Sequence, residues 1–187
     1  MRLSFTILFL LLLFGCKHIS APAPVDEDVM ALAERGDAES QMKVALAFDK
    51  DENFEEAASW YRKAAEQGVS EAQNNLGVMY KDGQGVDQDY NEAARWFLLA
   101  AQQDNTLAQL NLGWLYHAGK GLCQDTDSAR YWYSRAARKG HATAQLNLGI
   151  LYLQQADTTT AIYWLQQASQ QDNSGAQRIL QHLVKNK

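Results

Sequence analysis

The chain has 187 residues, of which 47% are hydrophobic and 21% charged, so its composition predicts one folded domain and excludes an intrinsically disordered chain. Seventeen Lys and Arg against 22 Asp and Glu give a net charge of −5 without a long basic run, which argues against nucleic-acid binding. Only two Cys and two Pro are present, which excludes a disulfide scaffold and a proline-rich spacer.

The first predicted element is a signal peptide at residues 1–15. Its apolar run, residues 3–14, is shorter than the about 20 residues that a membrane-spanning helix needs. The run ends in Leu13-Phe14-Gly15-Cys16, which resembles the lipobox of bacterial lipoproteins. The resemblance implies cleavage before Cys16 and attachment of lipid to that residue. An ordinary cleaved signal and an N-terminal membrane anchor are the open alternatives.

Residues 16–28 are predicted to form a flexible tether behind the lipidated Cys16. Pro22 and Pro24 favour an extended chain, which reaches about 3 Å per residue from the membrane. Lys17 would be the second residue after cleavage, and in the Gram-negative lipoproteins that this segment resembles, a residue other than Asp implies the outer membrane. We therefore expect a protein of the bacterial cell envelope that contacts the outer membrane through its N-terminal lipid and faces the periplasm.

Residues 29–187 are predicted to form one domain of internal repeats. A tryptophan recurs at intervals of 36, 36 and 32 residues, at Trp60, Trp96, Trp132 and Trp164. A segment Ala-Gln-x-Asn-Leu-Gly recurs at residues 72–77, 108–113 and 144–149. Because so many positions recur in the same register, they define structural repeats. The repeats, called units one to four, cover residues 36–67, 68–103, 104–139 and 140–171, and a capping helix follows at 172–187.

Each unit is predicted to contain two helices, because its apolar residues recur at helical spacing. Gly68 and Gly140 are expected to end the preceding helix in the left-handed conformation. A further glycine lies within the first helix of units two, three and four, at Gly77, Gly113 and Gly149. Glycine costs about 1 kcal/mol relative to alanine there, so its recurrence predicts close approach by a neighbouring helix. Arg178, Gln181, His182 and Lys185 predict a polar capping helix.

These motifs together resemble a known repeat family. Over residues 36–187, the chain is similar to the Sel-one-like repeat family of the tetratricopeptide superfamily. The similarity rests on the pattern Ala-Gln-x-Asn-Leu-Gly-x-x-Tyr, then a Gly-x-Gly turn, then Ala-Ala-x-Trp-Phe/Tyr-x-x-Ala-Ala. The resemblance implies an all-α fold, a right-handed solenoid of antiparallel helix pairs with a concave face for binding proteins. It implies no reaction.

No catalytic residue, metal site or cofactor is predicted. The four His are scattered along the chain, without the Cys or carboxylate neighbours of a metal site. Cys123 has no His or Cys near it in sequence, which indicates a packing thiol rather than a nucleophile. Cysteine-rich members of the family, with a Cys pair in each repeat, have been considered penicillin-binding or β-lactam-hydrolysing. The chain lacks those pairs.

The predicted binding site lies on the first helices of units three and four. In the tetratricopeptide relatives, the first helix of each pair lines the concave face. Trp114 is the one tryptophan outside the repeating position, and an aromatic residue beside aliphatic ones is typical of a surface that binds a protein or peptide. The predicted partner-binding residues are Leu107, Leu110, Trp114, His117, Leu146, Ile150 and Leu153. The alternative is that these side chains pack between first helices or beneath the terminal helix.

The sequence thus predicts a non-enzymatic adaptor or scaffold for protein–protein interaction. The alternative is an enzyme or a binder of cell-wall ligands that resembles the cysteine-rich relatives. A lipoprotein that regulates an envelope enzyme by contact is not distinguished from the adaptor by its sequence.

Overall fold

The computed structural model describes residues 26–185, and these form ten α-helices and no strand. The signal peptide, Cys16 and residues 16–25 of the tether lie outside the described residues, as do residues 186–187. The helices are α1 (Glu27–Glu34), α2 (Ala38–Lys50), α3 (Phe54–Glu66), α4 (Ser70–Asp82), α5 (Tyr90–Gln102), α6 (Thr106–Ala118), α7 (Thr126–Arg138), α8 (Ala142–Gln154), α9 (Thr158–Ser169) and α10 (Ser174–Lys185).

The helices pack in sequence order as a solenoid, and the predicted all-α fold class is confirmed. The pairs α2–α3, α4–α5, α6–α7 and α8–α9 form units one to four, and each second helix also packs against the first helix of the next unit. One such pair cannot bury its apolar face alone, so stability comes from stacking.

The repeated tryptophan joins each unit to the one before it. Trp96 of α5 packs into the core formed by α1 to α4, and Trp132 of α7 packs into the core formed by α5 and α6. These two side chains are only 6% and 9% exposed, whereas Trp60 and Trp164 at the ends of the series are half-buried. The tryptophans therefore bury apolar area between units, which is the main stabilising contribution in a stack of short helices.

The glycines inside the first helices make room for the second helix of the same unit. A Cβ atom at Gly77 would lie 2.7 Å from Cδ1 of Phe97, and one at Gly113 would lie 2.7 Å from Cδ1 of Tyr133. Both rings are fully buried, so neither can turn out into solvent. The close approach is therefore between a helix backbone and an aromatic side chain.

The junctions between units use a left-handed residue. Gly68 and Gly140 have φ angles of +90° and +88°, as expected for helix ends. Asp104 takes the same place between units two and three with φ +65°, although it carries a side chain. Within units one and four, the shorter turns place Glu52 and Ala156 at φ +58° and +61°, where a non-glycine residue is strained.

A buried glutamine ties each first helix to the helix before it. Nε2 of Gln73 donates to the carbonyl oxygen of Ala65 at 3.1 Å, and Nε2 of Gln145 donates to that of Ala137 at 3.1 Å. Gln41 and Gln109 make the same bond. This is the structural role of the Gln in the Ala-Gln motif, because it adds a second hydrogen bond to a carbonyl at a helix C-terminus, which also accepts from an amide of the following turn.

Both ends of the described chain differ from expectation. Helix α1 begins at Glu27, inside the predicted tether. The polar capping helix is only partly polar, because α10 also carries the half-buried Leu180 and Leu183 and leaves Val184 75% exposed. Among residues 26–185, no helix has the length and apolar character needed to cross a membrane.

Candidate partner-binding surface

The first helices of units one, two and three together line a cleft of about 390 Å³. We call it the central cleft, and it is lined by Met42, Leu46, Glu71, Asn74, Asn75, Asn105, Thr106 and Leu107. Leu46 and Leu107 are 44% and 51% exposed, so apolar side chains stand on either side of a polar floor. The cleft supports the interpretation that the first helices form one continuous surface.

The floor of the central cleft consists of side-chain amides that bond one another. Nδ2 of Asn111 donates to Oδ1 of Asn74 at 3.2 Å, and Nδ2 of Asn74 donates to Oδ1 of Asn75 at 3.2 Å. Asn74 is almost fully buried, and these bonds fix its orientation. An amide group both donates and accepts, as a peptide backbone does. The cleft therefore matches an extended peptide with apolar side chains chemically.

Three of the predicted binding residues lie together in a second cleft. Leu146, Ile150 and Leu153 of α8 face α10 across a space of about 460 Å³. The opposite wall, contributed by α10, consists of Gly175, Arg178, Ile179, His182 and Leu183. Leu146 and Leu153 also pack against the small core beneath α10. The terminal helix thus forms one wall of this C-terminal cleft, as the alternative interpretation of these residues anticipated in part.

The remaining predicted residues are not brought into one contact centre. Leu107 lines the central cleft, whereas Leu110 packs against the core that contains Tyr133. The ring of His117 lies edge-on to that same tyrosine, with 6.4 Å between centroids. Trp114 borders neither cleft. The predicted set therefore divides into separate environments, and its role in binding stays a prediction.

Trp114 is nevertheless a partly exposed aromatic residue on a first helix. It is 36% exposed, its ring centroid is 6.4 Å from that of Tyr90, and Nζ of Lys120 lies 5.4 Å from its centroid. The lysine also bonds the Tyr90 hydroxyl at 3.2 Å. Trp114 thus packs on the previous unit and remains partly exposed.

A fixed negative charge lies next to the central cleft. Asp104 precedes the cleft residue Asn105 and forms ion pairs with Lys139, at 3.3 Å, and with Arg135. The hydrogen bond from Lys139 and another from Gln109 hold the pKa of the Asp104 carboxyl below its ordinary value. Asp104 therefore stays ionised, and its exposed ion pairs join the turn between α5 and α6 to the C-terminal end of α7 with the modest strength typical of surface pairs.

Two sequence predictions concern reactive side chains and metal ligands. The thiol of Cys123 is exposed in the turn before α7, so the predicted packing role is wrong. Within residues 26–185, no group of three or more His, Cys, Asp or Glu side chains is arranged to hold a metal ion. The absence of a catalytic centre stays a prediction.

Comparison with known proteins gives a family match over most of the chain. The model described as the Sel1 repeat matches residues 38–69, 70–105, 106–141 and 142–173, each boundary two residues later than the sequence motifs indicate. No protein of curated function matches the chain in sequence. Sel1 and tetratricopeptide-like repeat proteins are generally non-catalytic scaffolds that bind protein or peptide partners.

Solved structures agree with this match. A protective antigen of uropathogenic Escherichia coli with an SLR fold is 31% identical, with a TM-score of 0.83 over 87% of this chain, although the chain spans only 37% of that protein. A Sel1 repeat protein from Oxalobacter formigenes is 30% identical, with a TM-score of 0.74 over 82% of this chain and 67% of its own. Cysteine rich protein B of Helicobacter pylori shares only the fold: it is 22% identical, with a TM-score of 0.53 over 63% of this chain and 90% of its own.

Proposed function

Because the chain belongs to the Sel1 repeat family, we propose that it is a non-enzymatic scaffold, held at a bacterial membrane by a lipid on Cys16, that binds a protein or peptide partner in the periplasm. The central cleft is the observation that carries the binding part of this proposal. It spans three units, is open to solvent and combines exposed Leu46 and Leu107 with amide groups.

An extended segment of a partner protein is the ligand that this cleft fits best. Its backbone would bond the remaining hydrogens and lone pairs of the half-buried Asn75 and Asn105 amides, while its apolar side chains pack against Leu46 and Leu107. The buried Asn74 would hold the floor in place, since its bonds to neighbouring asparagines are satisfied without a ligand. Apolar side chains supply most of the contact surface of such a site, and a few placed polar groups fix the orientation of the ligand.

Two matched surface variants test the binding surface. Leu107→Asp places a charge in the central cleft, and Tyr131→Asp places one on α7, outside the cleft, at a side chain of nearly equal exposure (51% and 52%). Partners are crosslinked in cells, recovered with the protein and quantified against the unaltered chain. We expect at least tenfold lower recovery for Leu107→Asp and unchanged recovery for Tyr131→Asp. Equal recovery from both variants would contradict binding in the central cleft.

The membrane part of the proposal rests on the sequence around Cys16. Acyl chains on this residue would hold the protein at the membrane, because each buried CH₂ contributes about 0.8 kcal/mol and several chains act together. The segment up to α1 would then separate the repeats from the membrane surface. Lys17 in the second position supports the outer membrane as the destination.

Two substitutions separate lipidation from sorting. Cys16→Ser removes the acceptor thiol, so we expect loss of labelled palmitate and loss of membrane fractionation. Lys17→Asp retains the lipid but is expected to leave the protein in the inner membrane. If Cys16→Ser still incorporates palmitate and still fractionates with the outer membrane, the lipoprotein assignment is wrong.

The enzymatic alternative has a direct measurement. Purified protein is incubated with a chromogenic β-lactam and with peptidoglycan fragments, and hydrolysis and binding are measured. A non-enzymatic scaffold leaves the β-lactam intact. Turnover that disappears in a Cys123→Ser variant would contradict the proposal and identify the exposed thiol as a nucleophile.

A further inference from the structure

The described chain begins with half of a repeat. The amide of Gly36 donates to the carbonyl oxygen of Ala33 at 3.0 Å, as the amide of Gly68 donates to that of Ala65 at 3.0 Å. The buried glutamine of the next helix bonds the same carbonyl in both places. Helix α1 is therefore the last part of a second helix, and among residues 26–185 no first helix is paired with it.

The described chain also ends with half of a repeat. In register, Ala176 of α10 corresponds to Ala144 of α8, and both are fully buried. Leu180 corresponds to Leu148, but Leu148 is fully buried and Leu180 is only half-buried. The difference arises because α9 covers α8, whereas no second helix follows α10 within residues 26–185. Its uncovered face leaves Val184 75% exposed.

We propose that copies of this protein associate head to tail, with the uncovered face of α10 binding α1 of a second copy. The two half-repeats would then form one composite helix pair. The face on α10 is lined by Leu180, Gln181, Val184 and Lys185. Helix α1 offers Leu32, which is 46% exposed where complete units have a buried alanine. Each half thus exposes apolar side chains at positions that are covered in complete units.

The closest point of a complete pair identifies the residues that would meet in the composite pair. In unit four, Leu165 packs on Gly149, whose Cβ would lie 2.8 Å from the leucine Cγ. The corresponding residues of the half-repeats are Val29 on α1 and Gln181 on α10. Val29 is slightly smaller than leucine but Gln181 is much larger than glycine, so the two helices of the composite pair would lie further apart than those of unit four.

Charge favours this arrangement over a symmetric one. The two helices of a pair run antiparallel, so the C-terminal end of α10, with Lys185, would lie beside the N-terminal end of α1. The N-terminal end of α1 carries Asp26, Glu27 and Asp28, whereas α10 contains no acidic residue. Pairing of α10 with a second α10 would instead bring two basic helices together.

The resulting interface is heterologous, so it adds copies in a row rather than closing a dimer. A contact between single helices is small, and we expect weak association that grows with concentration. A row of copies would extend the first-helix surface from one molecule to the next.

A cysteine pair tests the register of the interface. One full-length variant carries Val29→Cys and another carries Gln181→Cys. Each variant is oxidised alone, and an equal mixture of the two is oxidised in parallel. We expect the disulfide-linked peptide joining residues 29 and 181, identified by mass spectrometry, only in the mixture. A dimer linked through residue 181 alone would indicate a symmetric α10 interface, and the absence of any 29–181 link would equally overturn the proposal.

A charge exchange distinguishes a specific contact from random collision of thiols. Adding Lys185→Glu to the Gln181→Cys variant is expected to reduce the yield of the linked peptide about fivefold. Adding Asp28→Lys to the Val29→Cys variant as well should restore most of that yield. A yield that follows neither change would contradict the antiparallel pairing.

Discussion

Gly113, in the first helix of unit three, gives the sharpest test of how the two helices of a unit pack. In Gly113→Leu, the new Cβ would lie 2.7 Å from Cδ1 and 2.8 Å from Cε1 of Tyr133, closer than carbon atoms approach in proteins. The ring is fully buried, so the helices must separate. Overpacking costs about 1–3 kcal/mol for small insertions, and a leucine adds four carbons, so we expect about 3 kcal/mol or more.

The control adds a side chain to a glycine that lies in a turn. Gly119→Ala places a Cβ 3.1 Å from that of the exposed Gln124, at a φ angle of +65°. The strain of this conformation costs about 1 kcal/mol. At about 2–4 °C per kcal/mol for a chain of this size, the melting temperature should fall by roughly 6–12 °C for Gly113→Leu and 2–4 °C for Gly119→Ala. Equal, small decreases would refute the packing role of the glycine.

Three further predictions concern stability. Trp132→Ala should lower the free energy of unfolding by about 3–5 kcal/mol, measured by urea denaturation, because Trp132 is only 9% exposed. Trp114→Ala should lower it by less, because Trp114 is 36% exposed, and equal losses would make Trp114 a core residue. Ala156→Gly should raise the melting temperature by removing strain at φ +61°, a gain of up to about 1 kcal/mol, and a decrease would contradict that strain. Burial, together with the nearby carboxylate of Asp49, raises the pKa of Tyr61 above the ordinary value of about 10. The folded state thus keeps a proton that the unfolded state loses, so stability should fall above about pH 10, and Tyr61→Phe should reduce that fall; identical pH profiles would contradict it.

The repeat architecture is predictable from sequence because its contacts recur at fixed intervals. Trp96 and Trp132 occupy equivalent positions and make equivalent contacts with the preceding unit. The glycine that recurs in the first helices likewise predicts close packing. The sequence does not show that its neighbour is an aromatic ring such as that of Tyr133. The partner of Gln73 is a backbone carbonyl, which every residue carries, so no sequence pattern identifies that bond.

The binding surface is less predictable, because equivalent positions have different neighbours. Leu146 borders α10, whereas Leu110 at the same repeat position packs against the core of units three and four. Asn74, at that position in unit two, bonds two other asparagines on the floor of the central cleft. Helix α1 escaped prediction because it has no tryptophan, although Ala33 before Gly36 repeats the pattern at the end of the later second helices.

Binding by the first helices is tested most directly by determining which face of the protein touches its partner in the cell. A photoreactive amino acid is placed at residue 107 in the central cleft and, in a separate strain, at residue 131 on a second helix. Both positions are about half exposed, so each has similar access to a neighbouring molecule. We expect a discrete crosslinked product from residue 107 and none of the same mass from residue 131. A product from residue 131 alone would contradict the claim that the first helices form the binding surface.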